Sequence, residues 1–213
     1  MSVHIMGLAP DCQSRPPAYT VQEFYGSSVD FLPVIIKPSR LFLQRRKGMA
    51  WVCHNVVRYP WNGDWDYAPL NHTLIHELGH VWQHQSGQLQ LIRGLIEQLM
   101  RVLSLGYYDP YDYGGSENLK SIQQLTELTT ESQAQVLEEY WKAIHGWSCD
   151  RLGRPFTYDY LLEMERLVGG ITKPGSSRPS HQSILWRLEC WLAHVLNRST
   201  DCIDRMLRHM GCD

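Results

Sequence analysis

The sequence lacks the features that mark several large classes of protein. Its 213 residues carry a net charge of −2, so no global field favours nucleic acid or a membrane surface as the partner. The arginines near the end of the chain are interleaved with acidic residues, which also argues against nucleic acid. No run is long and apolar enough to cross a membrane, and we expect no transmembrane segment.

Two further absences concern export and cysteine chemistry. The first residues, MSVHIMGLAPDCQSRPP, show no basic start followed by an apolar run. We therefore expect synthesis in the cytoplasm without a Sec-type signal, and secretion or injection into a target cell only by a route without a cleaved signal.

The six cysteines form no C-x-x-C pair, which disfavours a cysteine zinc site. Their even number leaves disulfides open without establishing them.

What the sequence does contain is an H-E-x-x-H motif at 76–80, in a stretch whose apolar residues predict a helix. On a helix, His76 and His80 project from the same face with Cβ atoms roughly 5–6 Å apart. Their imidazoles can then bind one Zn²⁺, which requires Zn–N distances of about 2.0–2.1 Å. Glu77 can act as the general base toward water at the open coordination position. The alternative is a helix that carries these three residues by chance.

His84 continues the four-residue step, but it would lie about 40° further round the helix. We expect it to be a partner of a ligand or a surface histidine.

A catalytic zinc site needs a third protein ligand from another element. The best candidate is Glu131, in an E-x-x-A segment that resembles the gluzincin pattern E-x-x-A-D. In that pattern the glutamate binds zinc, the alanine lets two helices approach, and the aspartate orients a ligand histidine. Gln135 stands in place of the aspartate, which leaves the partner of that histidine in doubt. The rival candidates for the third ligand are Glu127, Glu138 and His145.

Hydrophobic periodicity predicts an α+β fold that is mostly helical. Strand-like segments at 31–36, 41–43 and 50–59, the last with a bend at residues 54–55, predict a small sheet before the motif helix. The apolar residues of 89–103 recur at helical spacing and predict a core helix; a membrane-active helix is the alternative, which the low net positive charge disfavours. We divide the chain into an N-terminal arm (1–19), a domain that contains the motif (20–168), and a linker with a C-terminal helical extension (169–213).

Several motifs occur in a characteristic order: H-E-x-x-H-V-W-Q at 76–83, Y-D-Y at 111–113, and E-x-Q-A at 131–134 with an acidic-aromatic continuation at 138–141. This set resembles a family of small bacterial zincin-like domains, which are described as Vgr-related and found in polymorphic toxins and contractile-injection (type VI secretion-like) loci. The resemblance covers about residues 20–145.

The resemblance implies a minimal zincin-like, gluzincin-type zinc metallopeptidase with His76, His80 and Glu131 as ligands. It also implies a protein or peptidoglycan-peptide substrate and a role as a secretion-system effector or toxin. A secretion-apparatus or immunity protein is the partner that such a role implies. Zincins often add a Tyr or His donor for the oxyanion; our choice is Tyr113, with three alternatives: Tyr111, Tyr140 and His145. The competing interpretation is a non-catalytic, zinc-containing binding or scaffold protein associated with a secretion apparatus.

Overall fold

The computed structural model describes residues 21–39, 50–60, 70–171 and 184–209. These residues form seven α-helices and one small sheet, so the predicted α+β, mostly helical class is confirmed. The N-terminal arm and the predicted strand at 41–43 lie outside the described residues. The helices are α1 (Val21–Tyr25), α2 (Leu70–Gln85), α3 (Gln90–Leu103), α4 (Gly115–Ser121), α5 (Thr130–Ile144), α6 (Tyr158–Gly169) and α7 (Ile184–His209), with a 3₁₀ turn at Leu125–Glu127.

The sheet has three strands, β1 (Ile35–Ser39), β2 (Trp51–Cys53) and β3 (Val56–Pro60), in the order β1-β3-β2. β1 runs parallel to β3, and β2 pairs antiparallel to β3. The bend predicted at residues 54–55 is the two-residue turn between β2 and β3. His54 adopts a φ of 57° there, as tight hairpin turns require.

The core lies where α2 packs against α5 and the sheet. Helix α2 contributes Ile75, Leu78 and Val81, all fully buried, and α5 contributes Val136 and Leu137. Burial of each of these side chains stabilises the fold by roughly 1.5–3 kcal/mol. Packing of these apolar residues therefore fixes the motif helix, and His76 and His80 lie on a different side of the same helix.

A close approach between α2 and α5 depends on Gly79 and Ala134. A Cβ added at Gly79 would lie 3.1 Å from Leu137 Cδ1 and 3.2 Å from both Cα and Cβ of Ala134. Larger residues at either position would separate the two helices. The glycine inside the H-E-x-x-H motif and the alanine of E-x-x-A therefore form one steric contact.

Helix α7 packs against both the sheet and α3. The fully buried guanidinium of Arg58 on β3 donates to Asp201 at 2.7 Å and lies 3.3 Å from Asp204. The buried carboxylate of Glu189 accepts hydrogen bonds from the backbone N–H groups of Leu91 and Ile92, in the first turn of α3. Helix α7 thus contacts both the sheet and α3. The proposed domain boundary at 168/169 stays a prediction.

We expected residues 89–103 to form a helix with its apolar side in the core, and this expectation was wrong about the burial of that side. The helix forms as predicted, but Leu95, Leu99 and Val102 are exposed. The opposite, polar side of α3 packs on α5, because Glu97 and Gln98 bond to groups there. Within the described residues, no helix combines the length and hydropathy needed to cross a membrane.

Candidate metal centre

Three of the predicted site residues converge between α2 and α5. His76 Nε2 lies 3.4 Å and His80 Nε2 lies 3.2 Å from the same oxygen, Glu131 Oε2. The two imidazole rings are nearly perpendicular, at 82°, with centroids 5.0 Å apart. All three side chains are buried. The structure therefore brings together the two histidines that the spacing predicted and the Glu131 that the resemblance to the gluzincin pattern implied.

These distances fit a tetrahedral metal ion. Bonds of about 2.0–2.1 Å in tetrahedral geometry place neighbouring ligand atoms about 3.3 Å apart. A direct charge-assisted hydrogen bond between imidazolium and carboxylate would be shorter, about 2.7–2.9 Å. The donor set of two imidazoles and one carboxylate is also a set that zinc uses in catalytic sites. The residues present thus fit a zinc ion better than a simple ion pair.

Gln83 orients His80. Its Oε1 lies 2.9 Å from His80 Nδ1, and its Nε2 donates to the carbonyl of Thr130 at 2.7 Å and to Gln133 Oε1 at 3.1 Å. Because the amide is fixed by these two donations, its oxygen must face the imidazole, which places the His80 proton on Nδ1. In neutral His80 this leaves the lone pair on Nε2, the nitrogen beside Glu131, where it could bind a metal ion.

Glu138 is the carboxylate beside His76. Its Oε2 lies 3.2 Å from His76 Nδ1, although that nitrogen has no well-aligned hydrogen bond. We therefore treat the contact as electrostatic. Glu138 is itself held by His72 at 2.8 Å and by Lys142 at 2.5 Å. Glu138 is thus the charged neighbour of a ligand histidine that Gln135 is not, since Gln135 donates to Glu139 instead.

The α3 helix holds the third ligand from the other side. Gln98 Nε2 donates to Glu131 Oε1 at 3.3 Å, which leaves Oε2 for the two histidines. The carboxylate of Glu97 accepts from the backbone N–H groups of Thr130 (2.7 Å) and Glu131 (3.0 Å) at the start of α5. A negative group at this position also interacts favourably with the helix dipole.

Glu77 is buried next to the cluster without belonging to it. Burial raises the pKa of its carboxyl group, and the positive charges of His76 and His80 oppose that rise. A bound dication would oppose it further. A buried carboxylate with an elevated pKa beside a metal site has the property that a general base requires.

The choice of Tyr113 as oxyanion donor needs correction. The Tyr113 hydroxyl makes short hydrogen bonds to Glu139 and Tyr160 in a buried polar group away from the histidines. Tyr111, two residues earlier, has its ring 5.8 Å from that of His76. Its hydroxyl accepts from the same Gln98 amide that holds Glu131. The loop at 104–114 is irregular, so spacing alone could not decide which tyrosine faces the site.

The other candidates lie elsewhere. Tyr140 packs against Phe24, and the His145 ring packs on Trp141 with Nδ1 2.7 Å from the carbonyl oxygen of that residue. Glu127 is exposed and caps the 3₁₀ turn. Among the rivals for third ligand, only Glu138 touches a ligand histidine, and it does so at the nitrogen that faces away from Glu131.

A second His–His–Glu group, His54, His84 and Glu189, does not have metal-binding geometry. Its donor atoms lie within 4.8 Å of one another. The rings of His54 and His84, however, are stacked at 3.8 Å with an angle of 8°, and Trp186 stacks on His84 at 5.2 Å. Imidazole lone pairs lie in the ring plane, so those of parallel rings cannot converge on one ion. His84 is thus half-buried in a three-ring stack, contrary to our expectation for it.

Comparisons with protein-family models, with curated proteins and with solved structures gave no match for this chain.

Proposed function

We propose that the protein is a zinc-dependent hydrolase that cleaves an amide bond in a peptide. The observation that supports this most directly is the convergence of His76, His80 and Glu131 on one buried point, with the Glu77 carboxyl beside them. A purely structural zinc site is closed by four protein ligands, whereas a catalytic site has three and an open position. Among the described residues this cluster has three.

A zinc ion held by His76, His80 and Glu131 would supply Lewis acidity at the scissile carbonyl. Glu77 takes a proton from the attacking water and passes it to the amine nitrogen as the C–N bond breaks. Tyr111 donates a hydrogen bond to the carbonyl oxygen as it gains negative charge. Burial raises the pKa of Tyr111, so its hydroxyl keeps the proton that this role needs at neutral pH.

Finer parts of the proposal concern fold family and biology. We propose a zincin-like arrangement, with protein or peptidoglycan peptides as the substrate and a role as a secretion-system effector or toxin. The support is the ordered motifs at 76–83, 111–113 and 131–134. Expression in the cytosol and then in the periplasm of a test bacterium examines this role. Toxicity in one compartment that disappears with Glu77→Gln supports it, and growth without a defect in both argues against it.

The primary experiment measures metal content by elemental mass spectrometry, alongside hydrolysis of a peptide library. Wild type should hold about one zinc per chain, and both His76→Ala and Glu131→Ala should lower that content. Glu77→Gln should keep the zinc and lose hydrolysis, because the carboxylate is not a ligand. Wild type that binds no zinc when zinc is supplied would refute the hydrolase proposal.

A second candidate is a non-catalytic, zinc-containing binding or scaffold protein. The observation that favours it is the exposed apolar side of α3, the helix whose opposite side holds Glu131. Under this alternative, Glu77→Gln would change neither zinc content nor partner binding, and wild type would cleave no peptide in the library.

A further inference from the structure

The metal cluster reaches solvent on the side of His76 and Glu131. Their side chains are 10% and 11% exposed, whereas that of His80 is 6% exposed. Tyr111 borders this side, with its ring 5.8 Å from that of His76, and Gln98 of α3 bonds to both Tyr111 and Glu131. A peptide that approaches the cluster from this side therefore passes close to Tyr111 and the adjoining part of α3.

Two guanidinium groups lie against the Tyr111 ring. Cζ of Arg101 is 5.8 Å and Cζ of Arg151 is 5.2 Å from the ring centroid. At such distances a cation is attracted to an aromatic ring. Arg101 follows Gln98 by three residues on α3, so the two side chains are neighbours on the same side of that helix. The metal cluster thus has a positively charged border next to the proposed oxyanion donor.

The positive charge of Arg151 is paired, but that of Arg101 is not. Arg151 Nη2 donates to Asp109 at 2.6 Å, and Arg101 acts on the same carboxylate only at longer range. Glu97, one turn before Arg101, directs its carboxylate to backbone N–H groups at the start of α5. The exposed guanidinium of Arg101 therefore has N–H groups that no carboxylate in the described part of the chain accepts.

A guanidinium that packs on an aromatic ring is suited to bind a carboxylate. The ring contacts the face of the guanidinium, while the N–H groups along its edge can form two parallel hydrogen bonds to the carboxylate oxygens. The ring also restricts the arginine side chain, which lowers the cost of ordering it when a ligand binds. A neutral peptide can use none of these N–H groups in an ion pair.

We propose that Arg101 binds a carboxylate of the peptide substrate and so determines which peptides the metal site accepts. This assignment rests on the proposed hydrolase function, because it names the substrate class of the same site. The carboxylate belongs either to an Asp or Glu side chain near the scissile bond or to the C-terminus of a short peptide. Both sources present the same planar anion to the guanidinium.

Calorimetric titration of the zinc-loaded Glu77→Gln variant tests the proposal, because this variant should keep zinc without cleaving the ligand. The ligands are acetylated peptides of one neutral sequence: a parent with a C-terminal amide, a series in which one Glu replaces each position in turn, and the parent with a free C-terminal carboxylate. A Glu peptide or the free-carboxylate peptide should bind about ten-fold more tightly than the parent, the effect of one hydrogen-bonded ion pair. Which of them binds tightly identifies the source of the carboxylate.

Substitutions in the same Glu77→Gln background assign the effect to one arginine. Arg101→Gln should remove the preference and leave binding of the neutral parent unchanged, whereas Arg101→Lys should keep part of it, because lysine retains the charge without the planar fork. Arg93→Gln is the matched control: Arg93 is also an exposed arginine of α3, but it acts on Glu189 at the other end of the helix. This control should keep the full preference.

Two results overturn the proposal: no carboxylate peptide binds more tightly than the parent, or the preference survives Arg101→Gln, which would place the carboxylate on zinc. Hydrolysis by the chain with Glu77 intact separates this proposal from the hydrolase proposal. Equal kcat/KM for the parent and every carboxylate peptide refutes the carboxylate site and keeps the hydrolase. A zinc-loaded chain that cleaves none of the peptides, yet shows the preference that depends on Arg101, refutes the hydrolase and keeps the carboxylate site.

Discussion

The steric contact between Gly79 and Ala134 leads to our most specific prediction, which concerns Gly79→Ala. In an isolated helix this change should stabilise by about 1 kcal/mol, because alanine is the better helix former. Here the added Cβ would lie 3.2 Å from Ala134 Cα, a backbone atom that cannot rotate away. Overpacking of this kind costs about 1–3 kcal/mol. We expect a net destabilisation of roughly 0–2 kcal/mol, with α2 and α5 displaced by a few tenths of an ångström.

The larger effect should be on zinc. Ligand distances in a metal site tolerate only about 0.2 Å. Because His76 and His80 lie on α2 and Glu131 on α5, displacing the helices moves the carboxylate away from the point where both imidazoles converge. We expect zinc affinity to fall at least ten-fold, measured by competition with a chromogenic chelator, with stability followed by urea unfolding of the metal-free protein.

Gly94→Ala is the matched control. Gly94 is also a helical glycine beside the site, but its added Cβ would meet Glu131 Oε1 at 3.9 Å, an ordinary contact. This variant should gain about 1 kcal/mol of stability and keep its zinc. If Gly79→Ala behaves like Gly94→Ala in both assays, the argument from helix approach is wrong.

Four other predictions follow from the site. Zinc content should approach one per chain and should not change in His54→Ala, as elemental mass spectrometry would show; two ions per chain would contradict our reading of the stacked rings. Glu138→Gln should lower zinc affinity about 10–100-fold in the chelator assay, because it removes the carboxylate beside His76. Burial alone would lower the pKa of His76, but Glu131 and Glu138 raise it to about 10, so zinc must displace a proton from the metal-free cluster. As the pH drops from 8 to 6, zinc affinity should therefore fall about ten-fold per pH unit for each proton that zinc binding releases. A zinc affinity that does not change with pH would contradict this. Tyr111→Phe should lower kcat with zinc content unchanged, whereas Tyr113→Phe should lower the unfolding midpoint.

The parts of the site that the sequence predicted are those set by local geometry. His76 and His80 share a helix, so their four-residue spacing fixes their relative position once the helix forms. Gln83, three residues after His80 on the same helix, could have been found by the same reasoning, since that spacing also brings side chains together. Glu131, by contrast, was chosen because the E-x-x-A segment at 131–134 resembles the gluzincin pattern, and not from spacing.

The parts that the sequence could not predict depend on tertiary contacts. Periodicity showed that α3 has an apolar side, but not that this side faces outward; that outcome depends on Glu97 and Gln98 binding groups on α5. The choice between Tyr111 and Tyr113 depends on the path of a loop without regular spacing. Glu138 lies two turns after Glu131 on the same face of α5. Only the packing of α2 on α5 determines that Glu138 contacts the Nδ1 atom of His76 and that Glu131 takes the ligand position.

The placement of α3 also bears on how the chain is divided. Glu131 is held by the motif helix on one side and by Gln98 of α3 on the other. The first turn of α3 is in turn capped by Glu189, which belongs to α7. Because a buried carboxylate that accepts backbone hydrogen bonds is costly to remove, α7 supports the position of α3 and, through Gln98, the orientation of the third ligand. Helix α7, which lies in the segment that we predicted to be an extension, is therefore connected to the metal centre through Glu189, α3 and Gln98.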